Sequence, residues 1–430
     1  MKINVFRQAF DSLRSQPLIS SITIAGTALA IFLIMVSVMT YEMPVAPMAP
    51  ESNRDRWLVE IGESIGNTKW GNSEDFCSNG SLGYNTIREV FYQMEVPEAV
   101  SAFVSSPNVT SVSLPGAPTM AVDCREVDGN YWKVMDFTFI NGGPFTQEQF
   151  ESAVPLAVID ETISRQLFGT IDAAGKQIEV NYTPYTVSGV VRDVSSLASA
   201  GYAEVWIPFS TTGVIDFQWN AYMGGLSAFI LARDKEDFPA IREEYKMLFD
   251  KLSDQASADG WVFYHRERPY EQKIQAISNG VNTTPDYSAE IRSRIIFFLI
   301  LLIVPAVNLS SMTHSSLSRR SHEIGIRRAF GAPRHTIVLD LITQNLLITL
   351  FAGIIGWICA ILFAWLGADI VFSTGYGRGA VTNISPFHLI HWSTFFWAMF
   401  FCFILNLLSA GIPAWNASRV NIINALSGKS

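Results

Sequence analysis

Charge is scarce in this sequence. Only 16% of its 430 residues are Asp, Glu, Lys or Arg, and 49% are hydrophobic, against roughly 25% charged in ordinary soluble domains. Histidine is scarcer still: there are six, and His265 is the only one between residues 42 and 291. That region therefore cannot hold a metal centre built on several histidines. Four cysteines are present. Cys77 and Cys124 lie in the long polar stretch, where an oxidising compartment would permit a bridge between them, and the sequence leaves the bonded and unbonded states equally open. Cys359 and Cys402 fall in apolar runs and read as packing residues. The closing Ser427-Gly-Lys-Ser430 has the tail of a phosphate-binding loop, but Ile423 stands where the motif needs its first glycine. No other segment completes the motif, so nucleotide binding is expected on another chain and catalytic residues are expected to be none.

What is abundant is long apolar runs. Residues 18–41 and 295–317 carry no charge, and 346–368 and 392–415 are equally apolar, each near the ~20 residues needed to cross a bilayer as a helix. The first run is longer than the 7–15 residues of an ordinary signal-peptide core, so it reads as an anchor. Basic residues are sorted. Residues 1–17 hold Lys2, Arg7 and Arg14 against Asp11. Residues 318–336 hold Arg319, Arg320, Arg327, Arg328 and Arg334 against Glu323, and the tail holds Arg419 and Lys429. Removing these ten basic and two acidic residues from the chain's 30 and 39 leaves 20 against 37 elsewhere. With four spans, all three basic segments fall on one side, which the positive-inside rule makes cytoplasmic.

The expected architecture is a membrane protein of four transmembrane α-helices, with a large mixed α/β (α+β) extracytoplasmic domain between spans one and two. Its segments are a cytoplasmic N-terminal amphipathic helix (1–17), span one (18–41), the extracytoplasmic domain (42–291), span two (292–317), a cytoplasmic segment (318–336), span three with a cytoplasmic extension (337–372), a short external loop (373–391), span four (392–415) and a cytoplasmic tail (416–430). Within 42–291, β-branched alternation predicts strands at 154–160, 176–181, 185–194, 203–209, 226–233 and 260–268. Residues 161–169 read as a short helix stopped by glycine, and 235–254 as an amphipathic helix. Two subdomains are expected. Asp123, Glu126 and Asp128 around Cys124 read as a solvated acidic turn in preference to a metal site.

The cytoplasmic segment has more order than topology requires. In "RRSHEIGIRRAFGAPR" (319–334) five of sixteen residues are arginine. The residues around Glu323 and Ile326 form an amphipathic turn or two, Gly331-Ala-Pro333 breaks the helix, and a new helix starts near Arg334. The expected picture is a short helix lying flat on the inner face. Here the sequence resembles the FtsX/MacB-like family of ABC-transporter permeases: Arg320, Glu323, Ile324, Gly325, Ile326, Arg328, Ala329, Gly331 and Ala332 stand at the positions of its fingerprint. The stretch 141–194, with "NGGPF", "LFG" and "VSGVV", is similar to the periplasmic core domain of the MacB type. "AGIIG" (352–356) and the Pro413-to-Leu426 close match further family elements. Gln344 stands where the family often has Glu.

The resemblance implies that 318–336 is a coupling helix docking on a separate ABC-type nucleotide-binding subunit, which would carry ATP and Mg; this chain would need no cofactor. Arg327, Arg328 and Arg334 would meet acidic groups of that ATPase or anionic head groups. It also implies a second permease, either an identical copy or a paralogue, with periplasmic adaptor proteins as further candidates and no nucleic-acid partner. The expected role is a mechanotransmitting permease of a bacterial inner membrane, for export or efflux of an unidentified cargo. The alternative is an FtsX-like signalling permease that gates an extracellular partner such as a cell-wall hydrolase.

Overall fold

A computed structural model describes residues 17–70, 77–217, 220–329, 333–366 and 392–417. The chain forms two compact units. One is helical, from the first apolar helix and residues 288 onward, and the other comprises chiefly Glu42–Tyr287.

Among the described residues, the second unit is α+β with fifteen strands. Its first half contains β1 (Trp57–Glu60), β2 (Glu63–Asn67), β3 (Cys77–Leu82) and β4 (Ala99–Val104). Its second half contains β5 (Asn108–Ser113), β6 (Met120–Val127), β7 (Phe139–Gly142), β8 (Leu156–Asp160), β9 (Gln177–Val180), β10 (Thr183–Val191) and β11 (Val205–Pro208). The chain then returns to the first half through β12 (Met223–Gly224), β13 (Leu226–Leu231), β14 (Trp261–Tyr264) and β15 (Tyr270–Glu271). β13 pairs antiparallel with β1 and β4, and β3, β2 and β14 continue beyond it. The second half is therefore an insertion between two paired strands.

Amphipathic periodicity explains the helix that covers the first half. In Phe238–Ser257, Phe238, Ile241, Tyr245, Phe249, Leu252 and Ala256 recur at helical spacing and all are buried. An Asp234–Asp237 capping box and Pro239 in the first turn start it. In the inserted half, β5, β6, β11, β8, β10 and β9 close into a ring, each hydrogen-bonded to the next and β9 back to β5. Val112, Val122, Ile159, Ile178, Val187 and Val205 fill its interior. β8 reads as an unbroken apolar run because both its faces are covered: Ile159 belongs to the ring interior and Val158 to a second cluster. Asp160 caps the following helix Glu161–Phe168, accepting from Ile163 N at 2.7 Å, and Gly169 stops it at φ 69°. Gly189 is required by crowding, since a Cβ there would lie 2.5 Å from Gly143 O.

An aromatic cluster joins the two halves. Phe103 and Phe229 stack at 4.3 Å, Trp57 lies 4.6 Å from Phe229, and Trp132, Phe137 and Trp206 pack edge to face nearby.

The helical unit consists of Pro17–Glu42, Tyr287–Ala329, Arg334–Leu366 and Trp392–Ala417. Among the described residues, Ser20–Glu42 and Asn345–Leu366 are long and apolar enough to cross a membrane, and Trp392–Ile404 is a shorter apolar stretch. Burial in this unit departs from the pattern of a soluble protein, with many large apolar side chains left outside. Ala28, Thr27, Thr349, Ala352 and Ala360 are inside together with Ile31, Met35 and Ile348, while Phe351, Ile355, Leu362, Trp365 and Trp397 face outward. Small residues at the helix contacts and many large apolar ones outside suit helices whose solvent is lipid. A Cβ on Gly356 would lie 2.6 Å from Ala28 O, so this glycine sets a close approach of two helices.

One expectation is corrected. Residues 318–329 do not form a separate short helix: Tyr287–Ala329 is one helix of 43 residues, running through Pro305. Continuous helical hydrogen bonding lets the basic segment extend the preceding apolar one. The break before Arg334 stands where expected.

Candidate functional site

The fingerprint places Arg320, Glu323, Ile324, Gly325, Ile326, Arg327, Arg328 and Ala329 in the last three turns of the Tyr287–Ala329 helix, and Arg334 at the start of the next. Gly331 and Ala332 lie outside the described residues. Ile326 is 40% exposed, an apolar side chain open for contact.

The α+β unit contributes a second set of residues, none of them singled out from sequence. They secure the two chain segments that lead toward the apolar helices. At the incoming segment, Arg54 is buried and its Nη1 donates to Met43 O at 2.6 Å and Ala46 O at 2.9 Å. Its Nε meets Glu51 Oε2 at 2.6 Å. The other oxygen of Glu51 accepts from Ala200 N and Gly201 N, both at 2.9 Å. Gln272 Nε2 adds a bond to Pro44 O at 2.7 Å. At the outgoing segment, Val281 O accepts from Ser64 Oγ at 2.8 Å and from Arg268 Nη2 at 2.9 Å. Planar, permanently charged guanidinium groups suit such multi-carbonyl clamps.

The loop that Glu51 grips is held from the other side by Arg125, fully buried on β6. It donates to Tyr202 O, Ser199 O, Val104 O and Ser105 O at 2.7–3.0 Å. Tyr131 Oη adds a bond to Ala200 O at 2.6 Å. The incoming segment, the inserted ring and β4 are thus linked through one polar network.

Beside the outgoing segment, Glu60 and Glu63 are buried at 0% and 1% exposure. Tyr245 Oη lies 3.4 Å from Glu63 Oε1, and His265 Nδ1 3.6 Å from the same atom. Burial raises both carboxyls above the ordinary range, and Glu63 raises Glu60 further. Burial likewise lowers His265. Among the described residues no group of three His, Cys, Asp or Glu could hold a metal ion.

A further expectation is corrected, and a question the sequence left open, the state of Cys77 and Cys124, is answered. Asp123 and Asp128 do not form a solvated turn. Both are buried, and β6 carries Asp123 through Glu126 as a strand. Asp128 accepts from Ser101 Oγ, Ala102 N, Tyr92 Oη and Tyr131 N at 2.7–2.9 Å; burial pushes its carboxyl up to about 6 against the pull of those bonds. Cys77 and Cys124 are not bonded to each other. Cys124 points into the ring interior, whereas Cys77 lies on β3 in the other half, 3.8 Å from Asn79 Oδ1.

Residues 20–248 match the family described as MacB-like periplasmic core domain, and residues 295–422 match the FtsX-like permease C-terminal family. The chain belongs to the MacB/FtsX-like permease family of ABC transporters. It is 26% identical over 376 residues to the macrolide export ATP-binding/permease protein MacB of Burkholderia cenocepacia, covering 81% of this chain and 50% of that protein. The same identity holds over 313 residues with the MacB of Escherichia coli O157:H7, covering 72% and 44%. The chain spans about half the length of the curated relatives it matches. Among solved structures, the periplasmic region of MacB from Actinobacillus actinomycetemcomitans aligns with a TM-score of 0.32 at 16% identity, over 47% of this chain and 88% of that one.

Proposed function

We propose that this chain is the permease subunit of a mechanotransmitting ABC transporter of a bacterial inner membrane. Four helices span the bilayer, the termini and residues 318–336 are cytoplasmic, and the α+β unit is periplasmic. A nucleotide-binding subunit on a separate chain supplies ATP and Mg and docks on the segment from Arg320 to Arg334. Two permeases pair around two ATPases, and closure of the ATPases is carried by the helices to the periplasmic units. The cargo is exported or expelled; relatives named as macrolide exporters favour efflux over gating of a cell-wall enzyme.

The observation that carries the force-transmitting reading is the pair of clamps. Arg54 with Glu51, and Arg268 with Ser64, fasten the incoming and outgoing chain to the domain body. A domain driven through its connections needs those connections stiff. The test is Arg54→Ala in the chromosomal copy, with drug tolerance (macrolides first) and ATPase rate measured together. Tolerance falls while ATP hydrolysis continues. Tolerance and hydrolysis both unchanged would contradict the reading. A strain lacking the chain that is altered in division or autolysis and normal in tolerance would favour the gating alternative.

A further inference from the structure

We propose that the open end of the six-stranded ring is a binding site for a small organic cation. A cavity of about 780 Å³ lies there, within the roughly 300–1,000 Å³ usual for ligand sites. On β6 the inward stripe runs Val122, Cys124, Glu126: the first two close the ring core, and the third is a carboxyl at the cavity. Glu126 faces Ile207 across the parallel β6–β11 pair and accepts a hydrogen bond from Thr212 Oγ1. Tyr185 Oη shares a 2.8 Å hydrogen bond with Thr211 Oγ1 beside it.

Glu126 is the one charged side chain among the described lining residues, and the others are hydroxyl, amide or apolar. Burial holds its carboxyl above the ordinary range, with the Thr212 bond opposing. A ligand cation would stabilise the charged form that burial disfavours. The rim supplies apolar surface. Val109 is 62% exposed at the cavity edge, and Tyr182, 74% exposed, lies between lining residues Asn181 and Thr183. The Asn181–Tyr182 turn, with φ of 49° and 63°, sets Tyr182 at the hairpin tip. One acid within, hydroxyls around it and an apolar rim match an amine on an aromatic or aliphatic body. The inference does not depend on the transport reading.

The test uses the full chain in nanodiscs of zwitterionic lipid. Three probes of one shape differ in charge: tyramine, the neutral alcohol tyrosol, and 4-hydroxyphenylacetate. Binding is measured by calorimetry and by saturation-transfer NMR. Tyramine should bind at least about tenfold tighter than the other two, the scale of one charge-assisted contact. Glu126→Gln should erase that preference. Asn108→Lys, at an exposed lining position, should do the same by placing a cation at the rim, and it decides the matter should Glu126→Gln not fold. Absence of tyramine binding, equal binding of the three probes, or tyramine affinity unchanged in the folded variants overturns the proposal, the last two marking a water-filled barrel end.

Discussion

Buried charge is the main feature at the scale of single residues. Glu60 and Glu63 keep their protons longer in the folded chain than in the unfolded one, because burial raises both. Their effect on stability is therefore most favourable below the ordinary carboxylate range, and is lost as pH rises from that range toward the folded values. Glu60→Gln removes part of this dependence. Its thermal midpoint at pH 8 should exceed that of the parent by a few degrees, ~1 kcal/mol being worth roughly 2–4 °C in a domain of this size. The midpoint gap between pH 5 and pH 8 should shrink; a lower midpoint at pH 8 would contradict the assignment. Arg125→Met should move stability the other way. It leaves four carbonyls without their donor, a loss of about 3 kcal/mol or more, read by urea unfolding. None of these roles was legible in sequence. Arg54, Arg125 and Arg268 look like any surface arginine until distant carbonyls gather round them, and the acids near Cys124 were misread as solvated for the same reason.

At the scale of elements, local pattern carried further. The runs predicted at 154–160, 176–181, 203–209, 226–233 and 260–268 contain β8, β9, β11, β13 and β14, the run at 185–194 overlaps β10, which starts two residues earlier at Thr183, and the helix stopped at Gly169 has its left-handed cap. Closure of the ring was not legible, because it rests on pairings such as β9 with β5 that no local periodicity records. The flat short helix expected within 318–336 failed for a related reason: a change of composition from apolar to basic does not interrupt helical hydrogen bonds, whereas a proline such as Pro333, with no N–H to give, does. "AGIIG" matched a family element in the sequence, and its two glycines should differ in what they bear. A methyl on Gly356 would meet the backbone oxygen of Ala28, which cannot move aside, while one on Gly353 would meet the end of the flexible Met399 side chain. Gly356→Ala should destabilise the helical unit by about 1–3 kcal/mol and Gly353→Ala by less, compared by thermal unfolding in detergent. The reverse ranking would show that the first and third apolar helices do not pack as described.

At the scale of the whole molecule, the order of parts is the argument. A MacB-like periplasmic core domain at 20–248 is followed by an FtsX-like permease segment at 295–422, and the fingerprint lies where the helix Tyr287–Ala329 ends and the next begins. In the proposed account, force arises in an ATPase, enters at this junction and reaches the periplasmic domain through segments clamped by Arg54 and Arg268. The most direct measurement is quantitative mass spectrometry of the tagged full chain, purified in mild detergent, beside its Gly325→Trp and Arg328→Glu variants. The account predicts a P-loop ATPase at near-stoichiometric yield with the parent chain and its loss from both variants, with thermal unfolding of the α+β unit unchanged. No such ATPase with the parent, or equal recovery from all three proteins, would contradict it.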